Sequence, residues 1–330
     1  MQASSITPST AAASSAWHEG ERGLQARAGV LERMAMFGSR VMRDRMPEQH
    51  RGFFAQLPFL IVGSLDASRQ PWASVLAAPA GFAHSPDDRH LRVDAGAAAD
   101  DPLASALRPG ASVALLGIEP HTRRRNRMNG VVDRVDACGF SVEVRQSFGN
   151  CPRYIQAREP VYVGDAAHAP RGVQRAQGLD AVSRRMVETA DTFFIATAHP
   201  SAADDRSPSQ GVDVSHRGGR PGFVRVRGEG TLTVPDFAGN AFFNTLGNIA
   251  VLPRAGLLFI DFETGDLLQL AVSAEVIWEG AELAAFEGAE RLLRLQVLSA
   301  LRHPAALPLR WGAAEPSPFL GATGRWPGGA

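Results

Sequence analysis

Phe59-Leu-Ile-Val-Gly-Ser64 is an apolar run of strand length, and Phe193-Phe-Ile-Ala-Thr197 returns the same kind of run in the second half of the chain. Short stretches rich in β-branched and aromatic residues, bounded by turn residues, read as strands. The chain continues from each run in a similar way. After Ser64 come a turn at Asp66-Ala-Ser-Arg69, strands at Trp72–Leu76 and Leu91–Val93, and a short helix over Pro102–Leu107 closed by Pro109-Gly110. Strands at Ser112–Ile118, Asn126–Val135 and Phe140–Arg145 complete the set. After Thr197 come a polar loop, Pro200–Gln210, then strands at Gly211–Ser215, Phe223–Val226 and Thr231–Val234. A helix around Phe242–Ile249 precedes strands at Gly256–Phe262 and Leu267–Trp278. Gly110 and Gly256 mark the approach to the apolar strand in each copy. The shared order predicts one β unit used twice. Several strands with one short helix before the last pair suit a small barrel. A parallel dinucleotide fold would instead alternate its strands with helices of ~10–15 residues.

The flanks complete the fold class: mainly β (α+β), two tandem barrels with flanking helices. Residues 1–17, rich in Ser, Ala and Thr, read as a disordered leader. Residues 18–57 are helical, with Leu24, Ala28, Leu31, Met34 and Phe37 at helical spacing in one helix to Arg45 and a second, shorter helix after Pro47. The first barrel spans 58–165. The second spans 179–280 and opens with a helix, Leu179–Thr189, for which Asp180 is the cap. Residues 281–303 read as a C-terminal amphipathic helix, and 304–330, rich in Gly and Pro, as a mobile tail.

Composition closes off several chemistries. The net charge is +0, so no global field draws the chain to nucleic acid or to a membrane surface. The apolar runs are too short to span a bilayer, and the start lacks the basic and apolar regions of a secretory signal. Two cysteines, Cys138 and Cys151, are too few for a disulfide scaffold and suit a reducing cytoplasm. The chain has no lysine. A lysine Schiff base and a Walker-type phosphate loop are therefore both excluded, and any bound anion is held by arginine, backbone N–H groups, hydroxyls or amides.

Three segments are candidates for the site. Val214-Ser-His-Arg-Gly-Gly-Arg-Pro-Gly-Phe223 places an arginine, a hydroxyl and a glycine pair just past a strand, an arrangement that suits an anion cradle or, more plainly, a glycine-rich hairpin. Pro235-Asp-Phe-Ala-Gly-Asn240 leads to Asn244-Thr-Leu-Gly-Asn248, with Asn240, Asn244 and Asn248 on one helical face; the face reads as an exposed, ligand-facing stripe. Gln146–Gln156 holds Asn150, Cys151 and Tyr154. Cys151 has His121 and His216 as candidate bases, but no triad-like spacing appears, and a lone cysteine is more often inert packing. The block Arg123-Arg-Arg-Asn-Arg127 reads as a solvated strand end, since no aromatics interleave with it. His84, His90, His168 and His199 show no metal-ligand spacing, so no metal is expected.

The second half resembles the pyridoxamine 5'-phosphate oxidase-like flavin-binding split barrels. Ser215-His-Arg-Gly-Gly219 with Pro221-Gly-Phe-Val224, Pro235-Asp-Phe-Ala-Gly-Asn240, Leu246-Gly-Asn-Ile249 and Pro253-Arg-Ala-Gly-Leu-Leu-Phe259 carry the likeness, as does Asn150-Cys-Pro-Arg-Tyr-Ile155, over roughly residues 50 to 280. The resemblance implies FMN bound between barrels, usually in a homodimer, and two-electron chemistry through the flavin on a small-molecule substrate, with NAD(P)H or dioxygen as redox partner. It implies Ser215, His216, Arg217, Gly218 and Gly219 on one side of the flavin. Asp236, Asn240, Asn244, Thr245 and Asn248 lie on the other, with Asn150, Cys151 and Tyr154 closing the pocket. The family's vitamin B6 oxidases use lysine beside arginine at the phosphate, and this chain departs from them there; their substrate-binding C-terminal segment is matched only superficially, by Leu309-Arg-Trp311. A flavin carrier or sensor without catalysis, and a haem-binding or haem-degrading barrel with His216 as ligand, are the alternatives.

Overall fold

The structure, a computed structural model, describes residues 16–164, 172–204 and 207–327. All but the last two residues of the expected leader, and His168, lie outside the described residues. Three helices come first: α1 (Glu19–Arg27), α2 (Leu31–Val41) and α3 (Glu48–Ala55). The single helix expected from His18 to Arg45 is thus two, because Gly29 takes a φ of +69°, the left-handed conformation that closes a helix.

The first unit comprises β1 (Phe59–Leu65), β2 (Pro71–Ala77), β3 (Ala83–His84), β4 (His90–Val93), α4 (Pro102–Ala106), β5 (Ser112–Glu119), β6 (Arg124–Asp136) and β7 (Gly139–Gly149). A connecting stretch carries β8 (Pro160–Tyr162), β9 (Gln174–Ala176) and α5 (Ala181–Thr189), which Asp180 caps through Ser183 N at 2.7 Å. The second unit comprises β10 (Thr192–Ala198), β11 (Val212–Gly218), β12 (Arg225–Arg227), β13 (Thr231–Phe237), α6 (Asn244–Val251), β14 (Arg254–Ile260), β15 (Leu267–Ile277), α7 (Ala281–Ala284) and β16 (Ala289–His303), and β17 (Leu309–Trp311) comes after it.

The first sheet runs β2-β1-β5-β6-β7-β4-β3 and the second β11-β10-β14-β15-β16-β13-β12, one order used twice. All the named neighbours within the two sheets pair antiparallel. The register corrects one landmark. Gly63 pairs with Ala114 as Ala196 pairs with Gly256, so Gly256 matches Ala114 rather than Gly110. Gly256 is there for space: a Cβ on it would stand 2.2 Å from the Pro71 carbonyl oxygen of the other unit.

Period-two alternation explains why the runs that begin at Phe59 and Phe193 look continuously apolar. Leu60 and Val62 of β1 enter the first unit's core, whereas Phe59 and Ile61 face the other unit. In β10, Phe193 and Ile195 point inward while Phe194, Ala196 and Ala198 face outward. The outward sets, joined by Ala114, Leu116 and Ile118 of β5 and Leu258 and Ile260 of β14, form a shared third core between the units. Strands buried on both faces lose the polar half of the pattern.

Two expectations at the C-terminus are overturned. Residues 281–303 are not a helix: after the single turn of α7 and a left-handed Gly288 (φ +80°), the chain becomes the 15-residue β16. Buried Leu293, Leu295 and Val297 alternate with exposed Arg294, Gln296 and Leu298. Pairing with both β13 and β15 satisfies this backbone, a long-range gain that outweighs local helical spacing. The second unit therefore runs to His303. Nor is 304–327 a loose tail: β17 pairs with β8, and the buried Trp326 donates to the Phe223 carbonyl at 2.8 Å and packs edge-on against Phe286.

Candidate functional site

A cavity of about 400 Å³ opens where the two units meet. The start of β6 and the segment after β7 supply one wall; β11, the end of β13, the start of α6 and the start of β16 supply the other. Of the thirteen residues expected at the site, eleven line this cavity: Asn150, Cys151, Tyr154, Ser215, His216, Arg217, Gly218, Asp236, Asn240, Asn244 and Thr245. Two do not. Gly219 lies under Phe223, whose ring a Cβ would meet at 2.4 Å, and Asn248 turns away to donate to Thr197 Oγ1 at 3.2 Å. The three asparagines therefore share no helical face: α6 begins at Asn244, Asn240 precedes it, and Asn248 is buried. Ser215 to Gly218 belong to β11 rather than to a turn. Gly218 is needed for closeness, since a Cβ there would stand 2.0 Å from the Tyr154 carbonyl oxygen.

The strongest cations come from the block that reads as solvated in the sequence. Arg125 and Arg127 stand two apart on β6 and so share a face, and both line the cavity. Arg127 is buried and pairs with Asp213; its Nη2 donates to Ser215 Oγ at 2.5 Å and its Nη1 to Asn244 Oδ1 at 3.3 Å. Thr245 Oγ1 donates to Ser215 Oγ at 2.9 Å. Arg125 differs. Its Nε donates to the Cys151 carbonyl at 2.6 Å and its Nη1 to the His216 carbonyl at 3.3 Å, and among the described residues no carboxylate pairs with it. Burial, then the charges of Arg127 and Arg217, push its guanidinium down to about 9. A period-two reading carried back from Asn126 would have found both side chains.

Arg217 is already neutralised by Asp236, which Arg291 of β16 also grips, Nε to Oδ2 at 2.9 Å. Arg291 went unnoticed in the sequence because its strand read as helix. Among the residues that line the cavity, three polar atoms are buried without a hydrogen-bond partner: Arg127 Nε, Arg217 Nε and Asn150 Nδ2. All three are donors on residues that line the cavity. Buried donors are ordinarily satisfied, so this set calls for an acceptor-rich ligand. Tyr154, tilted against Phe237 at 5.0 Å, together with Phe243 and Trp278 supplies aromatic wall. Burial holds the His216 imidazole well below its ordinary range, hence neutral.

The N-terminal helices also reach the site. Gly20 of α1 and Gly247 of α6 cross so closely that a Cβ on Gly20 would lie 2.3 Å from the Gly247 carbonyl oxygen. Glu21, brought in by this crossing, accepts from Asn244 Nδ2 and from His18 N at 2.9 Å. Burial raises its carboxyl to about 8. Nearby, His18, Glu19 and His199 form the one group of metal-type ligands among the described residues. Their hydrogen bonds assign them otherwise. Nδ1 of each ring accepts a backbone N–H at 3.1 Å, from Gly20 and from Ser201, so Nε2 carries the proton, which His199 donates to Glu19 at 2.8 Å. A ring that ligates through Nε2 donates from Nδ1; this group instead ties α1 to the second unit.

No protein-family model matches the chain, and no curated protein matches it. Among the solved structures similar to it is a Clostridium acetobutylicum protein related to general stress protein 26 of B. subtilis, of the pyridoxinephosphate oxidase family (10% identity, 40% of this chain and 91% of that one, TM-score 0.27). Others are HutZ, the heme storage protein of Vibrio cholerae (15%, 35% and 87%, TM-score 0.24), and a FAD-binding protein of Mesorhizobium loti (12%, 40% and 97%, TM-score 0.23). No helix among the described residues is long and apolar enough to cross a membrane. Each of these likenesses spans less than half of this chain.

Proposed function

We propose that the cavity between the units binds a flavin with an anionic tail, FMN, and that the protein uses it for two-electron oxidoreduction of a small molecule. One observation carries the reading: Arg125 is a half-buried cation without a carboxylate partner among the described residues, in a cavity where three further donors are unsatisfied. An isolated buried charge is costly, and a phosphate beside Arg125 and Arg127 would offset that cost through charge-assisted hydrogen bonds. The residues present fit such a group. Arg125, Arg127 and Asn150 would take the phosphate, while Tyr154 and Phe243 flank space for a ring. Bound there, FMN supplies two-electron transfer through its N5.

The chain's own part is to bind, orient and shield. Asp213 and Ser215 hold the Arg127 fork in place. Asp236 fixes Arg217 and Arg291 along the cavity wall, and the neutral His216 adds no further charge. The absorbance spectrum of purified protein, with mass spectrometry of released ligand, tests the reading. Flavin bands and FMN are expected. Protein that is colourless and takes up no flavin from excess FMN would sink it. A Soret band would assign the cavity to haem, with His216 as the histidine that lines it.

A further inference from the structure

Because the two units share one strand order, their positions correspond through the ladders. Val62 faces Ser74 across β1–β2 as Ile195 faces Ser215 across β10–β11. Leu116 faces Arg127 across β5–β6 as Leu258 faces Gln269 across β14–β15. The site therefore has a twin at the other end of the interface. Where Arg127 of the first unit donates to Ser215 of the second, Gln269 of the second donates to Ser74 of the first, at 3.0 Å.

The twin keeps its serine and has lost its cations. Leu267 stands in the register position of Arg125, Gln269 in that of Arg127 and Leu76 in that of Arg217. The helix ends differ too. Asp101 caps α4, its carboxylate accepting from Leu103 N at 2.8 Å, from Ser74 Oγ and from Gln269 Nε2 at 3.1 Å. At α6 the N-cap residue, Phe243, offers no capping side chain, and it lines the cavity with Asn244. One end of the interface thus carries a carboxylate of its own where the other leaves room beside unsatisfied donors.

We infer that each chain holds one anionic-cofactor site, completed by its own two units without a second copy, and that Asp101 fills the twin from within. The identity of the cofactor rests on the flavin reading; the count of sites does not. Apoprotein is titrated with FMN by fluorescence quenching, at two protein concentrations tenfold apart, and with inorganic phosphate by thermal shift. The expected result is one FMN per chain at both concentrations. Arg127→Gln, which installs the twin's residue, weakens binding at least about tenfold. Because that change strips Asp213 of its partner, Arg125→Leu is the second variant and gives the same loss in a folded protein. Gln269→Ala leaves stoichiometry and affinity as they were. Two FMN per chain, half of one, or undiminished binding by Arg125→Leu overturns the inference. If FMN fails to bind while phosphate stabilises the native chain and not Arg125→Leu, the flavin reading falls and the single site stands. Binding of neither probe overturns both.

Discussion

Arg125 and Arg127 leave the same face of the same strand, yet the two ends of the cavity they define are built differently. At the Arg127 end the second unit answers the charge with Asp213, Ser215 and Thr245, and of the guanidinium nitrogens only Nε is left without a partner. At the Arg125 end only two carbonyls answer it. A buried pair and a half-buried unpaired cation have opposite consequences: losing one partner of the first destabilises the fold, whereas the second is a cost that a ligand removes. The comparison separates a residue that joins the units from one kept for an anion.

Substitutions can break that contrast. Arg127→Ala carries the largest expected effect, a stability loss of about 3–5 kcal/mol in denaturant unfolding, because Asp213 is left buried and unpaired. Arg125→Ala leaves stability unchanged or raises it, but weakens FMN roughly 10- to 150-fold by titration. If both variants unfold at the same denaturant concentration, the distinction between the two ends is wrong.

The titration of Arg125 sharpens the same point. With its guanidinium at about 9, affinity for an anion is level through neutral pH and falls as pH rises through 9, and Arg125→Ala removes that fall. Glu21 works in the other direction of linkage. Its folded carboxyl, at about 8, lies above the ordinary 4.5. The folded state therefore holds the proton more tightly, and the contribution to stability is full below 4.5 and lost as pH rises through 8. Glu21→Gln should flatten the decline in melting temperature across that window; an unchanged decline would remove Glu21 from the account.

Much of the fold was legible because the strands that matter are short, apolar and bounded by turns. The runs at Phe59 and Phe193 announced two copies, and the order of elements came with them. β16 was not legible. Leu292, Leu293, Leu295 and Val297 satisfy helical as well as strand spacing over part of their length, and only the flanking partners β13 and β15 decide between them. The same error hid Arg291. At the site, the motifs around Ser215, Asp236 and Asn244 marked the second unit's wall, and most of those residues do line the cavity. The first unit's contribution stayed hidden, since the partners that Arg125 and Arg127 meet come from a unit more than eighty residues away in sequence. Charge alone favours the solvent reading there, and packing between units reverses it.

Two smaller effects complete the comparison. Arg217 is neutralised by Asp236, so Arg217→Ala should weaken FMN by no more than about fivefold, the value of one ordinary partly exposed pair; a loss as large as that of Arg125→Ala would move the phosphate to Arg217. Cys151 meets Arg125 through its carbonyl. Cys151→Ser should therefore keep binding within experimental error, and a bound flavin with all turnover lost would make the thiol a reacting group.

The most direct measurement sets FMN against riboflavin on the native protein and on Arg125→Ala, by isothermal titration at one pH. Riboflavin lacks only the phosphate. If Arg125 is held unpaired for that group, FMN loses roughly 10- to 150-fold on the substitution, riboflavin loses little, and the gap between the two ligands closes in the variant. Equal losses for both ligands would contradict the account, because Arg125 would then be holding the ring or the fold.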